Sequence, residues 1–287
     1  MFEFLVPIFM SFDIGEMVDN LFTNLATGVL KSTFNNDSFE TATSLVTLSN
    51  TVYDSLFELA GTVFTALKPL GFALITTFFL IHIYDMASRE QITVESLSKV
   101  LITLIIAVGL IGNLSSVISA ILQTGDSVIK TITTATSGSI SESDVDAIVT
   151  KLKDEDGVLG FTMLISAGMV WVLHLIAIVM IYMGSISRAL DVAWRCALAP
   201  IAAANVFEGG ANSTAVKYLK SLAGAVLAGA AMLIIMQAGF TLSLSFFAAK
   251  DSASYSGMTR LIMSCAAMLS TGIAAMGASS KVKEVIS

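Results

Sequence analysis

Charge is what this sequence has least of. Only 13% of its 287 residues are Asp, Glu, Lys or Arg, about half the density of a soluble domain. Proline is nearly absent, with three residues, and there are two histidines, two cysteines and two tryptophans. Each scarcity excludes something. No long polar/apolar alternation is present, so a β-sandwich or barrel has no support. Cys196 and Cys265 fall in amphipathic and apolar stretches rather than in a polar exported loop, which argues against a disulfide framework. His82 and His174 belong to no Cys/His cluster with metal-ligand spacing, and no P-loop, HExxH or GxSxG is found. The reading is therefore not an enzyme, with no cofactor and no metal. The opening MFEFLVPIFM lacks a basic n-region and a cleavage site, and is not read as a signal peptide.

What the sequence does have is long apolar runs. It is 55% hydrophobic, with a mean hydropathy of +0.83. The run that organises the chain begins at Val158 and is uncharged for about 26 residues, enough to cross a hydrocarbon core of about 30 Å at 1.5 Å per residue. It continues without a breaker into ISRALDVAWRCALAP. Arg188, Asp191 and Arg195 sit there at i, i+3, i+7, on one helical face. The spacing predicts a spanning helix over 158–184 that leaves the bilayer as an amphipathic helix and stops near Pro200.

Four other spans are expected at about 60–84, 100–122, 218–248 and 259–278. The fold class is an all-α polytopic membrane protein with about five transmembrane helices. Residues 1–53 form an external N-terminal region and 54–287 the transmembrane domain. Within the first region, Ile14, Met17, Val18, Leu21, Phe22, Leu25 and Val29 recur at helical spacing, opposite Glu16, Asp19, Asn20, Thr23 and Asn24. This is an amphipathic helix for a membrane surface, a partner or the protein's own helices, opened by an Asp13/Glu16 capping box. Residues 32–43 read as a linker. The polar segment 123–157 carries a short amphipathic helix with Val145, Ile148, Val149 and Leu152. Gly209-Gly210 reads as a turn before the fourth span. No internal repeat is visible.

Polar residues inside the spans are few. Lys68, beside Pro69, reads as snorkelling to an interface or facing a pore or partner; Pro69 bends rather than ends its helix. Asn113, with Ser115, Ser116 and Ser119, reads as interhelical hydrogen bonding. His174 is a buried structural histidine or a proton relay. Gln237 lies mid-span. Two small-residue stripes permit close helix approach: Ser221, Ala225 and Gly229, then Thr271, Ala275 and Ser279.

Placing the N-terminus outside puts Arg89, Lys99, Arg188, Arg195, Lys217, Lys220, Lys281 and Lys283 in the cytoplasm, with six acids. Seven basic residues and sixteen acids remain outside or near it. The positive-inside rule then favours N-out, C-in. The Arg188 face reads either as an interfacial helix with arginines near lipid phosphates, carrying an Asp191–Arg195 pair, or as a cytoplasmic docking face.

SRALDVAWRCALAPIAAANVF followed by STAVKYLKSLAGAVLAG resembles the TrbL/VirB-type polytopic inner-membrane subunit of type IV secretion systems. The likeness covers about 54–280 in architecture and is specific over about 186–230. The long hydrophilic C-terminal tail and very large external loop of many relatives are missing. The resemblance implies a channel or assembly subunit for transfer of DNA or protein across the bacterial cytoplasmic membrane. It implies a homo-oligomer, with a secretion ATPase, a bitopic scaffold subunit and a pilus or stalk subunit as partners. It also implies that Arg188, Trp194, Pro200, Tyr218 and Lys220, with Asp191 and Arg195 on the same stretch, set a cytoplasmic assembly face. Two other classes stay open: a secondary transporter or ion channel using Lys68, His174 and Gln237, and a holin-like or immunity-type membrane protein.

Overall fold

The computed structural model describes residues 14–33, 36–89, 93–135, 160–209, 213–248 and 257–286. Among them there is no strand. The helices are α1 (Ile14–Thr33), α2 (Asn36–Val46), α3 (Asp54–Ser88), α4 (Val94–Ala135), α5 (Gly160–Ala204), the short α6 (Val206–Gly209), α7 (Thr214–Ala248) and α8 (Gly257–Ile286). A 3-10 turn, Thr51–Tyr53, leads into α3 and is capped by the Asn50 side chain. Five helices are long and apolar enough to cross a membrane: Thr51–Ser88, Val94–Thr134, Leu164–Ala204, Thr214–Ser243 and Ile262–Val282. The chain is thus an all-α, multi-pass membrane protein by length and composition, as the apolar runs led us to expect.

The helices outrun the expected spans. The expected linker over 32–43 is largely helical, because α2 starts at Asn36. α4 runs on through 123–135, where a polar segment was expected. Its exposed Thr124, Thr131 and Thr134 hydroxyls bond back to carbonyls of their own helix, so no partner is needed to satisfy them. α5 passes through Pro200 for another turn, and α3 through Pro69. Neither proline ends its helix. The Asp13 side of the expected capping box, the short helix over 145–152 and Gly210 lie outside the described residues.

The chain divides into two compact units. The first comprises residues 1–42, 136–181 and 235–274. In it α1 packs through Ala26 and Leu30 on the first half of α5 and on α8, with Ala167, Val170, Ala177, Cys265 and Met268 in the core. The Phe22 ring meets the Phe161 ring edge-on at 5.6 Å. The helix therefore buries the arc of Phe22, Thr23, Ala26 and Leu30, while Met17, Val18, Leu21 and Leu25 stay exposed. A Ser243–Ser264 hydroxyl pair joins α7 to α8, and a Cβ on Gly239 would run into the Thr271 side chain.

The second unit comprises residues 43–135, 182–234 and 275–287. Its core is the α3–α4 hairpin, the second half of α5 and the first half of α7. Within it the second half of α5 runs beside α3 in the same direction. Ala193 and Ala197 pack on Ala60, Phe57 and Val63. The Pro200 carbonyl lies over Gly71, and Phe207 stacks edge-on to Phe79 and His82. A Cβ on Gly71 would sit 2.7 Å from the Pro200 carbonyl oxygen, inside any real contact. Backbone cannot swing aside as a side-chain tip can. Gly71→Ala should therefore lower stability by about 1–3 kcal/mol, the usual range for overpacking, despite alanine's better helix propensity. Thermal unfolding in detergent checks this, with Gly61→Ala, where nothing lies within 4 Å, as the control that should be neutral or stabilising.

Candidate arginine-centred site

Arg188 is the largest fully buried side chain of the described residues, at 1% exposure. A guanidinium cannot shed its charge, so burying it requires acceptors. The second unit supplies backbone. Arg188 Nε donates to the Ala225 carbonyl of α7 at 3.1 Å, and Nη1 donates to the Val46 carbonyl. Val46 is the last residue of α2. Its carbonyl is among the four a helix leaves unpaired at its C-terminus, where a cation is also favoured by the helix dipole. The Tyr53 hydroxyl donates to the preceding carbonyl, Leu45, at 2.9 Å. The Leu48 amide donates to Asp126 Oδ1 of α4 at 3.3 Å, and Asp126 is close enough to act electrostatically on Arg188. Nη2 has no hydrogen-bond partner among the described residues. The end of α2 is thus tied to α4, α5 and α7 through polar groups in an otherwise apolar core.

The small residues of α7 make this possible. A Cβ on Gly229 would land on the Arg188 guanidinium. Two turns earlier, Ser221 Oγ accepts from Arg195 Nη1 at 2.8 Å. Arg195 Nε also donates to Asp191 Oδ1 at 2.9 Å, with both side chains under one-fifth exposed, so the expected i,i+4 pair is formed and half-buried. The Tyr218 hydroxyl donates to the Arg195 carbonyl at 2.7 Å. The stripe Ser221, Ala225, Gly229 is therefore a landing strip for two arginines seven residues apart on α5, rather than only a groove for a bare helix.

The resemblance implied that Arg188, Asp191, Trp194, Arg195, Pro200, Tyr218 and Lys220 set one cytoplasmic assembly face. The structure brings most of them together but turns them inward. Arg188 is buried, Arg195 and Tyr218 face α7, and Pro200 packs on α3. Only Trp194 and Lys220 are exposed. The Trp194 indole donates to Asp191 Oδ1 at 3.1 Å, and its ring carries the Arg195 guanidinium at 5.5 Å. Arg188 also lies at the same end of its unit as residues 46–54, which the charge count put outside. The 186–200 stretch continues the third span as one helix, Gly160–Ala204. Its polar positions are consumed by its own neighbours.

The intramembrane polar residues are dispersed. Lys68 Nζ donates to the Gly112 carbonyl at 3.2 Å, so it bonds the neighbouring helix instead of only reaching for an interface. Asn113 Nδ2 bonds the Gly109 carbonyl of its own helix, not a neighbour. In the first unit, His174 Nδ1 lies 2.9 Å from Met268 Sδ, and His174 lines an apolar cavity of about 50 Å³ with Met236 and Phe240. Gln237 is half-buried. Of the second stripe, Thr271 packs on Gly239, Ala275 is buried near Gly184, and Ser279 is half-buried. Among the described residues no group of three or more His, Cys, Asp or Glu could hold a metal ion.

The sequence reading missed Val46, Tyr53 and Asp126 as parts of the site. Asp126, a lone acid after a long apolar run, was the available signal. The backbone carbonyls carry no sequence signal at all.

Gly229→Ala should destabilise the protein by about 1–3 kcal/mol because the new methyl displaces a buried charge from its acceptors. Arg188→Ala should cost about 3 kcal/mol or more, since it leaves a void and two orphaned carbonyls. The two losses should not add. In the Arg188→Ala background, Gly229→Ala should become neutral or stabilising, by up to about 1 kcal/mol of helix propensity. Unfolding midpoints of the four proteins in one detergent complete that cycle.

No family model, curated protein or solved structure matches this chain.

Proposed function

We propose that this protein is a membrane-embedded channel or assembly subunit of a type IV secretion apparatus of the TrbL/VirB type, in the bacterial cytoplasmic membrane. The observation that supports this most is the coherence of the stretch that carries the resemblance. Within 186–209 and 213–230, Arg188, Arg195, Tyr218, Ser221 and Ala225 form one packed seam, bonded to one another and to Val46 of their unit, with Gly229 leaving room for the guanidinium. A profile shared with that family would then reflect a shared way of burying arginines, not a catalytic signature. Five long apolar helices fit a multi-pass inner-membrane component. The proposed orientation remains N-out, C-in. With Arg188 and Arg195 taken into the bundle, the inner segments keep six basic residues against five acids, while acids still dominate elsewhere.

In this role the seam holds the external-side segment, residues 43–54, rigidly against the spans. The partners remain those of the family: further copies of the chain, a secretion ATPase, a bitopic scaffold and a pilus or stalk subunit, with DNA or protein as cargo. Trp194 and Lys220, exposed at the seam's edge, are the residues left to meet a neighbour.

Deleting the coding sequence in its native host should abolish conjugative DNA or effector transfer, with recovery on complementation in trans. Arg188→Ala should restore little even when its membrane level matches wild type. Undiminished transfer in the deletion strain would refute the proposal. Uptake of a small solute by the purified protein in liposomes would favour a transporter instead.

A further inference from the structure

The α3–α4 hairpin changes character along its length. From Val94 to Val108 the exposed face of α4 is mostly large and apolar: Leu101, Ile102, Ile105, Ile106 and Val108. From Gly109 onward the exposed positions include Asn113, Ser115, Ser116, Ser119, Gln123 and Thr124. No large apolar side chain is exposed on α4 after Val108, although its buried face stays apolar with Ile111, Leu114 and Ile118. α3 switches at the matching level. Leu70, Leu80, Ile81 and Tyr84 are exposed in its second half, together with His82 and with Thr76 and Thr77, whose hydroxyls bond back to carbonyls of their own helix. Its first half exposes Asp54, Glu58, Thr62 and Thr65, with Leu59 the one large apolar exception. The Lys68–Gly112 hydrogen bond sits at the boundary on both helices.

A cavity of about 410 Å³ opens between the two polar halves. Ser49, Asp54, Ser115, Ser119 and Asp126 line it beside a larger apolar surface that includes Phe57, Phe64, Ile118 and Leu122. It lies wholly on the polar side of the Lys68 boundary.

Lipid offers no hydrogen-bonding partner. Thr62, Thr65, Asn113 and Thr124 bond carbonyls of their own helix, but Ser115, Ser116, Ser119 and Gln123 form no such bond among the described residues, and polar groups of that kind at membrane depth face protein or water. The exposed Glu95–Lys99 ion pair closes the apolar end of α4, so its apolar stretch, Val100–Val108, is about 14 Å long at 1.5 Å per residue, short of a hydrocarbon core of about 30 Å. The polar face must therefore begin inside that thickness.

We propose that the exposed face of residues 54–69 and 109–134 lines a water-filled space. Lipid contact on this hairpin is confined to residues 70–84 and 100–108. Lys68 marks the level at which the surroundings change from lipid to water. This goes beyond the secretion reading and does not depend on it, because any water-filled path through the membrane would need such a face. A hydrated, polar cargo could pass along it, since its exposed side chains are largely hydroxyls and amides that hold water without binding phosphate tightly.

Cysteine accessibility in native membranes tests this with the full-length chain. After Cys196→Ala and Cys265→Ala, single cysteines replace Thr65, Ser116 or Gln123 on the polar face, and Leu80 or Ile105 on the apolar face. A charged, membrane-impermeant maleimide should label Thr65→Cys, Ser116→Cys and Gln123→Cys at least about tenfold faster than Leu80→Cys and Ile105→Cys, because the thiolate forms only where water reaches. Equal, slow labelling of both sets would overturn the proposal. So would disulfide cross-linking of Ser116→Cys between copies with no labelling, which would make the face a dry protomer interface. The transfer assay is a separate readout: its failure leaves the labelling pattern intact, and slow labelling leaves the transfer result intact.

Discussion

A permanent charge enclosed by helices is the constraint on which the second unit depends. Arg188 cannot be neutralised, and at 1% exposure it has no bulk water to fall back on. Its surroundings must therefore provide oxygen, and they provide backbone oxygen from two chain segments far apart in sequence: Val46, 142 residues away, and Ala225, 37 residues away. A buried ion is weak evidence for stability as such, because desolvation offsets most of its attraction. What it enforces is register. A shift of α2 by one residue would leave the guanidinium facing the wrong group, and a shift of α7 would put a methyl where Gly229 now leaves space.

The small residues gain their meaning from this. A small-xxx-small stripe in an apolar helix usually allows backbones to approach. Here it accommodates side chains thrown across from α5, with Ser221 and the Ala225 carbonyl as acceptors and Gly229 as room. Elsewhere the same economy appears without charge. Gly71 admits the Pro200 carbonyl, and Gly239 admits Thr271. Close approach between long helices is thus bought with glycine at a few levels. Some exposed polar groups bond to their own helix, as the Thr124 and Thr131 hydroxyls and the Asn113 amide do.

Much of the architecture was legible because lipid imposes a crude filter on sequence. Uncharged runs of about 20 residues announce helices regardless of detail, and all five were found near their expected places. Their ends were not. Polar residues near a span end, such as those over 123–135, continue a helix as readily as they leave it, since a helix satisfies its own backbone in water or lipid. The Arg188–Asp191–Arg195 spacing correctly placed three charges near one face and correctly paired Asp191 with Arg195. It could not say which way that face pointed. Periodicity gives an angle around one helix; inward or outward depends on what another segment offers. For Arg188 the offer came from carbonyl groups, which every residue has. For the same reason the N-terminal helix was right in kind, but the arc it buries on its own unit is centred on Ala26 and Leu30, not on the larger Met17 and Leu21.

The central claim is that the Arg188 guanidinium locks the end of α2 into the core of its unit. Hydrogen–deuterium exchange of the detergent-solubilised protein reads that lock at the amides of residues 44–53. The account predicts slow exchange there, comparable to the α3–α4 hairpin, and rapid exchange confined to this segment in the Arg188→Ala variant while the hairpin stays protected. Rapid exchange over 44–53 in the unaltered protein, or no change on losing Arg188, would contradict it.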